Sequence, residues 1–415
     1  MSINRRQLTV SMAALAASLA FAPQMGLAQE GPIRIGVITS LSGFAQVYGE
    51  ANQIGTQIAA DRINAAGGVN GRPIEIVLRD DQGLPDGTVA AYRDLAGTGI
   101  RHFISGPISG TVVALGPLFK DTDHIMIGAG PNNLSITHEN YNDNIFRLQL
   151  TSIPVFTGLG VVLAEKAPEV TNWISISSDQ QANIDLTNVL ENSLKAAHAE
   201  AGREITIQDM VLTKAGAGDF RAQIAQIARS GATGIINSLV GSDSLTFYTQ
   251  AKAFGLDRNV QVFADVSANL NSMTTISDAI PASVWTPYYW YAQDDGNPVS
   301  QELYAAAVER TGTEYPFGFI ALAHDAVVAL ADAMSRAESD DTAAVIAALE
   351  SGSPMGAAGP IVFREEDHTY TGEMTFLQFG ADAEAEGGLS VKEVVRFDSV
   401  PYMEPATPGE RFVIE

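Results

Sequence analysis

Residues 101–133 read RHFISGPISGTVVALGPLFKDTDHIMIGAGPNN, and the reading of this stretch decides the fold. Arg101–Ser105 is a short β-rich run. The loop Gly106–Gly110 follows it, and Thr111–Asp121 has the composition of a helix. His124–Ile127 is a second apolar run of strand length, followed by the loop Gly128–Asn133. In an open α/β sheet, ligands bind outside the carboxyl ends of parallel strands. If both runs are parallel strands, both loops lie at that place. Their Gly, Ser, Thr and Asn content lets backbone N–H groups come close to a ligand. The first loop also opens a helix, whose uncapped N–H groups and dipole favour an anion. These two loops are therefore expected to hold a small ligand by a carboxylate.

The same strand–helix alternation extends in both directions. Ile33–Ile38 is an apolar run that ends in Thr39-Ser40-Leu41-Ser42-Gly43. Tyr48–Ala65 follows with Ile54, Ile58, Ala59 and Ile63 at helical spacing. Gly67-Gly68 stops that helix. Ile74–Leu78 is a strand and Pro85–Ala96 a helix. Asn144–Leu150 leads out of this first series, and the pattern restarts. Strands are expected at Trp173–Ser177, Ile205–Leu212, Gly234–Ser238 and Val260–Ala264, with helices between them. Repeated β-α units imply parallel sheets covered by helices. Val284–Tyr291, rich in aromatics, reads as a segment crossing back to the first lobe. Two helices, over 299–311 and 317–337, follow it. Late strands are expected at Pro360–Phe363, Glu373–Phe379 and Val391–Phe397. The expected division is 29–150 plus 284–366 for the first lobe, 151–283 plus 367–400 for the second, and 401–415 as a tail.

Composition narrows the function classes. The chain has 415 residues, 46% of them hydrophobic and 17% charged, which suits a folded protein of more than one domain. Its net charge of −24 opposes binding to nucleic acid or to an anionic membrane surface. With no cysteine there is no disulfide, thiolate nucleophile or thiolate-held zinc. At the N-terminus, Arg5-Arg6, the apolar run Val10–Ala22 and Gly26-Leu27-Ala28 form the three parts of an export signal, with cleavage expected after Ala28. The arginine pair also resembles a twin-arginine signal, a route that exports folded chains. No stable membrane insertion is expected.

Catalytic motifs are missing. None of the six histidines forms HExxH, Gly106–Gly110 is not G-x-S-x-G, and Gly128-Ala129-Gly130 lacks the third glycine of a dinucleotide loop. No enzyme activity, cofactor or metal is expected. The candidates are for binding. Ser109, Gly110 and Thr111 could hold a carboxylate, a role compatible with helix capping. Gly130, Pro131 and Asn132 could supply backbone groups, although a plain turn would look the same. Phe44 and Tyr48 could wall the pocket, or simply pack in the core. An ammonium on the ligand would need an acid, for which Asp265 is preferred at a strand end of the second series, with Asp179 and Asp243 as rivals. Thr111→Ala is expected to weaken binding without unfolding the chain.

Four segments together resemble a known family: residues 33–81, IRIGVITSLSGFAQVYGEANQIGTQIAADRINAAGGVNGRPIEIVLRDD; ISGPISGTVVALGPL at 104–118; DFRAQIAQIARSGATGII at 219–236; and GPIVFREEDH at 359–368. They are similar to the periplasmic Leu/Ile/Val-binding-protein-like family, the type I solute-binding proteins of branched-chain amino acid ABC transporters. The resemblance implies two Rossmann-like lobes with parallel sheets, joined by a three-segment hinge near Leu150, Val284 and Asp367. It implies a ligand carboxylate at Ser109–Thr111 and Gly130–Asn132, an ammonium at Asp265, and docking on ABC transporter permease subunits in the periplasm. Where the family often has a Ser-Ser-Thr-like cluster, this chain has Ser109-Gly110-Thr111. Where it often has a tyrosine, this chain has 179–183, DQQAN. Members resembling this chain also take aromatic acids, short amides or urea-like compounds. The same fold also serves periplasmic ligand sensors.

Overall fold

We describe the protein from a computed structural model that covers residues 31–293 and 296–414. The export signal and its cleavage site lie outside the described residues. The first sheet contains β1 (Ile33–Thr39), β2 (Ile74–Asp80), β3 (His102–Ser105), β4 (Ile125–Ala129) and β5 (Ile145–Leu148). Their order is β2-β1-β3-β4-β5, and every pairing is parallel. Parallel neighbours need crossover connections. Three helices provide the first three here, α1 (Gln46–Ala65), α2 (Pro85–Gly97) and α3 (Ser109–Phe119), and the link from β4 to β5 carries only the 3-10 turn Leu134–Ile136. β3 and β4 are buried along their whole length, as expected of central strands with helices on both faces.

The second sheet repeats this plan. It contains β6 (Asn172–Ser178), β7 (Thr206–Ile207), β8 (Val211–Thr213), β9 (Gly234–Ser238), β10 (Val262–Asp265) and β11 (Val284–Tyr288). The expected strand over 205–212 is thus split in two, and both pieces pair with β6. Through β7-β6-β9-β10-β11 the order is the same 2-1-3-4-5 arrangement as in the first sheet. A two-residue bridge, β12 (Met355–Gly356) with β13 (Gly359–Pro360), stands apart; the expected strand at Pro360–Phe363 is reduced to this and to one bridge between Phe363 and Tyr370. Two long antiparallel strands, β14 (Glu373–Ala381) and β15 (Leu389–Asp398), extend the second sheet beyond β11.

One boundary differs from the sequence reading. Val284–Tyr288 is a strand of the second sheet, parallel to β10 and antiparallel to β14, and not part of the crossing or of the first lobe. Pro287 lies beyond Val284 and Trp285, the two residues that pair with β10, and stands opposite Phe376 of β14. Beyond those two residues no parallel neighbour needs the missing N–H. Just beyond the strand, Trp290 packs with Ala51, Ile58, Leu303 and Ile320.

The first lobe is completed by helices from late in the sequence. The helix Phe319–Ala337 is buried on most of its surface and packs along α1. The two backbones approach so closely that a Cβ on Gly55 would lie 2.1 Å from the carbonyl oxygen of Ile320. At the opposite edge of this packing, His102 opens β3, fully enclosed, with Nε2 3.0 Å from the Asp340 carbonyl. Burial, reinforced by Arg101, lowers its pKa to about 4. An unfolded histidine takes up its proton near pH 6.5, so this group favours the fold above that pH and withdraws support as pH falls toward 4. The difference amounts to about 3 kcal/mol. Urea unfolding from pH 7.5 to 4.5 should show it as a loss of stability that a His102→Gln variant lacks. Parallel slopes for the two proteins would contradict it.

Candidate functional site

A 2-1-3-4-5 sheet has its topological switch point between the first and third strands. In the first lobe that is the crevice between β1 and β3, and the loops after β1, β3 and β4 surround it. In the second lobe it lies between β6 and β9. The candidate site is built on these strand ends.

The two loops of the opening stretch follow adjacent parallel strands, as the ligand argument requires. They are also joined: the Asn133 N–H donates to Ser109 Oγ at 3.3 Å. No side chain caps the first turn of α3, so the N–H groups of Ser109 and Gly110 are available to an anion. Gly110 is exposed and a Cβ there would meet nothing within 4 Å. Gly130 has φ +107°, and a Cβ on it would lie 2.5 Å from Phe319 Cε1 and 3.0 Å from Pro107 Cβ. Only glycine lets the second loop lie this close to its neighbours. Pro131 is buried against Gly128, while Asn132 is exposed.

Tyr48 is half-buried and packs on Phe317 (ring centroids 5.3 Å) and edge-on to Phe319 (5.0 Å). Phe319 reaches Gly130, so Tyr48 and the second loop share one aromatic wall. Burial raises the Tyr48 pKa, which keeps it a neutral hydrogen-bond donor. Phe44 does not join this wall. Its ring lies over Gly83 and is 74% exposed, forming a separate lip.

Three sequence expectations change. Thr111 is fully buried and its hydroxyl donates to the Ile108 carbonyl at 2.7 Å, so it closes its own helical turn instead of facing outward. Asp265 does not present a free carboxylate. It is fully buried, and Oδ2 accepts from Ser244 Oγ (2.8 Å), Tyr248 OH (2.9 Å) and Asn237 Nδ2 (3.0 Å), while Oδ1 accepts from the Ser267 N–H (2.8 Å). It is the last residue of β10, the counterpart of β4 in the first lobe, and its side chain turns inward to the helix Ser242–Ala253. Asp243 is engaged as well, accepting from the Gly216 N–H at 2.6 Å. Asp179, exposed just after β6 at the second switch point, is the acid that remains accessible.

Several groups escaped the sequence reading. Thr39 Oγ1 and Ser105 Oγ, at the carboxyl ends of β1 and β3, are buried and make no hydrogen bond. Buried hydroxyls are normally paired, so these two are suited to a ligand or an ordered water. Phe317, Phe319 and Pro107 also contribute. Nothing local in the sequence marks Phe319, which lies far along the chain from Gly130.

A model of the periplasmic binding protein family matches residues 32–384. The chain belongs to that family. Within it, this periplasmic binding protein is of the type I, Leu/Ile/Val-binding-protein-like kind. The leucine-, isoleucine-, valine-, threonine- and alanine-binding protein of Pseudomonas aeruginosa is 24% identical over 356 residues, 85% of this chain and 91% of the relative. A Leu/Ile/Val-binding protein from Rhizobium johnstonii is 37% identical over 116 residues, 28% of this chain and 30% of the relative. Among solved structures, an amino acid ABC transporter substrate-binding protein from Pseudomonas fluorescens Pf-5 superposes with a TM-score of 0.76 at 20% identity, covering 88% of this chain and 96% of the other. An ABC transporter solute-binding protein from Rhodopseudomonas palustris BisB5, in complex with 3,4-dihydroxybenzoic acid, gives 0.73 at 17% identity, covering 89% and 98%. These relatives are binding proteins, not enzymes. No helix among the described residues is long and apolar enough to cross a membrane.

Proposed function

We propose that this periplasmic binding protein receives a small carboxylate-bearing solute and delivers it to an ABC transporter by closing its lobes about the hinge. The observation that carries the reading is the pairing of the uncapped α3 start with the Gly130–Asn133 loop on adjacent parallel strands, tied by the Ser109–Asn133 hydrogen bond. The carboxylate is placed on the N–H groups of Ser109 and Gly110 and the Ser109 hydroxyl, with Thr111 stiffening the turn from behind. Gly130, Pro131 and Asn132 line its other side. The division into two lobes joined near Leu150, Tyr289 and Asp367 belongs to the same proposal, as does export to the periplasm with loss of residues 1–28. Hinge closure buries the solute and must satisfy its charge, since a buried unpaired carboxylate is costly.

Branched-chain and related amino acids are one solute class, with Asp179 as the acid placed to meet an ammonium. A specific observation favours the second class, aromatic acids. The wall of Tyr48, Phe317 and Phe319 suits a ring, and Asp265 is already saturated by its own neighbours.

Thermal unfolding of residues 29–415 with L-leucine, L-isoleucine, L-valine and 4-hydroxybenzoate tests the reading. A ligand at 100 times its Kd adds about 2.7 kcal/mol of stability. Ser109→Ala should weaken any such ligand about tenfold, the effect of one charge-assisted hydrogen bond. Asp179→Asn should weaken only the amines. Full affinity in Ser109→Ala would remove the carboxylate from this loop.

A further inference from the structure

Arg147 is the third residue of β5, at the first crossing, and it is fully buried. Its side chain reaches two separate parts of the chain. Nη1 donates to the Asn133 carbonyl at 3.2 Å, and Nη2 donates to Thr369 Oγ1 at 2.8 Å. Its backbone is bound to the third crossing as well: Arg147 N–H donates to the His368 carbonyl (3.0 Å), and Tyr370 N–H donates to the Arg147 carbonyl (3.0 Å). Asn133 in turn donates to Ser109. A continuous path thus runs from the carboxylate loops through one guanidinium to the strand that returns to the second lobe.

A buried guanidinium needs counter-charge. Asp367, fully buried, and Glu404, nearly so, supply it. Arg364 shares them, donating to both oxygens of Asp367 (2.9 and 2.6 Å) and to the Glu404 carbonyl (2.9 Å). Glu404 lies on the C-terminal tail, which has left the second lobe. Its Oε2 accepts from Thr151 Oγ1 at 2.7 Å, beside the first crossing, and its Oε1 is 3.7 Å from His138 Nε2. The tail then fastens to the first lobe: Thr407 Oγ1 lies 2.7 Å from His138 Nδ1, Gly409 N–H donates to the His138 carbonyl at 2.7 Å, and Phe412 stacks on the His138 ring at 4.9 Å. The tail is a fourth strap between the lobes, closed over the charges that hold Arg147.

We propose that Arg147 is a positioning residue of the binding site, which holds the loop Gly128–Asn133 to the hinge so that the two move as one unit. The role rests on the carboxylate reading of that loop. The planar guanidinium is suited to it, because it carries its donors on separate nitrogens held in one plane, whereas an ammonium presents all three from a single atom. Releasing either acceptor in a dry interior leaves a donor unpaired. A hinge rotation that displaces Thr369 is therefore passed to Asn133, and a ligand that seats the loop biases the hinge in return.

The test is amide hydrogen exchange of the ligand-free chain. The amide of Asn133, bonded to Ser109, and those of Ser135, Ile136 and Thr137, bonded to Asn133 and Leu134, report loop opening. Thr369→Val removes one acceptor, keeps every charge and nearly preserves shape. It should speed exchange over 128–137 about fivefold, the factor set by one lost hydrogen bond in a local opening, and leave β1 unchanged. Arg147→Lys should do the same, showing that the fork and not the charge positions the loop. If Arg147→Lys does not fold, Thr369→Val decides alone. Unchanged or slower exchange over 128–137, with faster exchange confined to the third crossing at 363–372, would reduce Arg147 to a hinge stabiliser and overturn the proposal. Because no ligand is present, a failed ligand screen and a failed exchange result remain separate.

Discussion

Gly49→Ala is expected to destabilise the chain by about 3 kcal/mol and to abolish tight ligand binding in the protein that remains folded. Gly49 lies in the first turn of α1, and a Cβ there would be 1.9 Å from the carbonyl oxygen of Ser40 and 2.3 Å from its carbon. Both are backbone atoms of the loop that leaves β1 at the switch point. No side chain can rotate out of the way, so either the helix or the loop must move. The loop is further fixed by Ser40 Oγ, which donates to Asp81 Oδ1 at 2.8 Å, and by Leu41 N–H, which donates to Asp80 Oδ1 at 2.9 Å. Moving it would strain these bonds and displace Thr39 and Tyr48 on either side. Urea unfolding gives the stability loss, and the ligand-dependent rise in Tm gives the binding loss. Gly97→Ala is the control, because a Cβ there meets nothing within 4 Å. It should be neutral or slightly stabilising. If Gly49→Ala behaves like Gly97→Ala, the close approach of α1 to the β1 loop is wrong.

Asp265→Ala should cost about 3–5 kcal/mol, with little effect on which solutes bind. The substitution leaves four donors, from Asn237, Ser244, Tyr248 and Ser267, without their acceptor in a fully buried place. Burial raises the Asp265 pKa, and the hydrogen bonds only partly oppose it. With its folded pKa above the unfolded one, the carboxyl supports the fold most at acid pH and less as pH rises through the raised value. Removing it should therefore shift the pH dependence as well as the midpoint of unfolding. The opposite pattern, unaltered stability with selective loss of amine-bearing ligands in Asp265→Asn, would restore a direct role in holding an ammonium.

Much of the fold was legible because its signals are local. The apolar runs Ile33–Ile38 and Gly234–Ser238 and the Ile spacing over 54–63 identify buried strands and a half-buried helix, and alternation of the two forces a parallel sheet. The placement of the two loops after β3 and β4 was legible for the same reason: each directly follows its strand, so position in sequence fixes position in space. What failed depended on partners distant in sequence. The strand Val284–Tyr288 reads in sequence as a crossing, an aromatic run broken by Pro287, and its partners β10 and β14 come from separate parts of the chain. Asp265 sits at a strand end, as a ligand acid would. Three of its donors come from residues 237–248, and no local pattern announces that they converge on it. The aromatic wall failed in the same way, since Tyr48 and Phe319 meet only after the chain has passed through the second lobe and returned.

That return has a consequence for how the molecule is made. The first sheet is complete in sequence by β5, yet the helix that covers it beside α1 begins at Phe319, and Gly55 must wait for Ile320. The second sheet has its parallel strands by β11 but lacks β14 and β15. A chain emerging from the ribosome therefore carries two unfinished cores until its last quarter appears. Non-local pairing of this kind folds slowly and leaves apolar faces open to association in the meantime. Both lobes thus wait on the last quarter of the chain, the first for the helix from Phe319 and the second for β14 and β15.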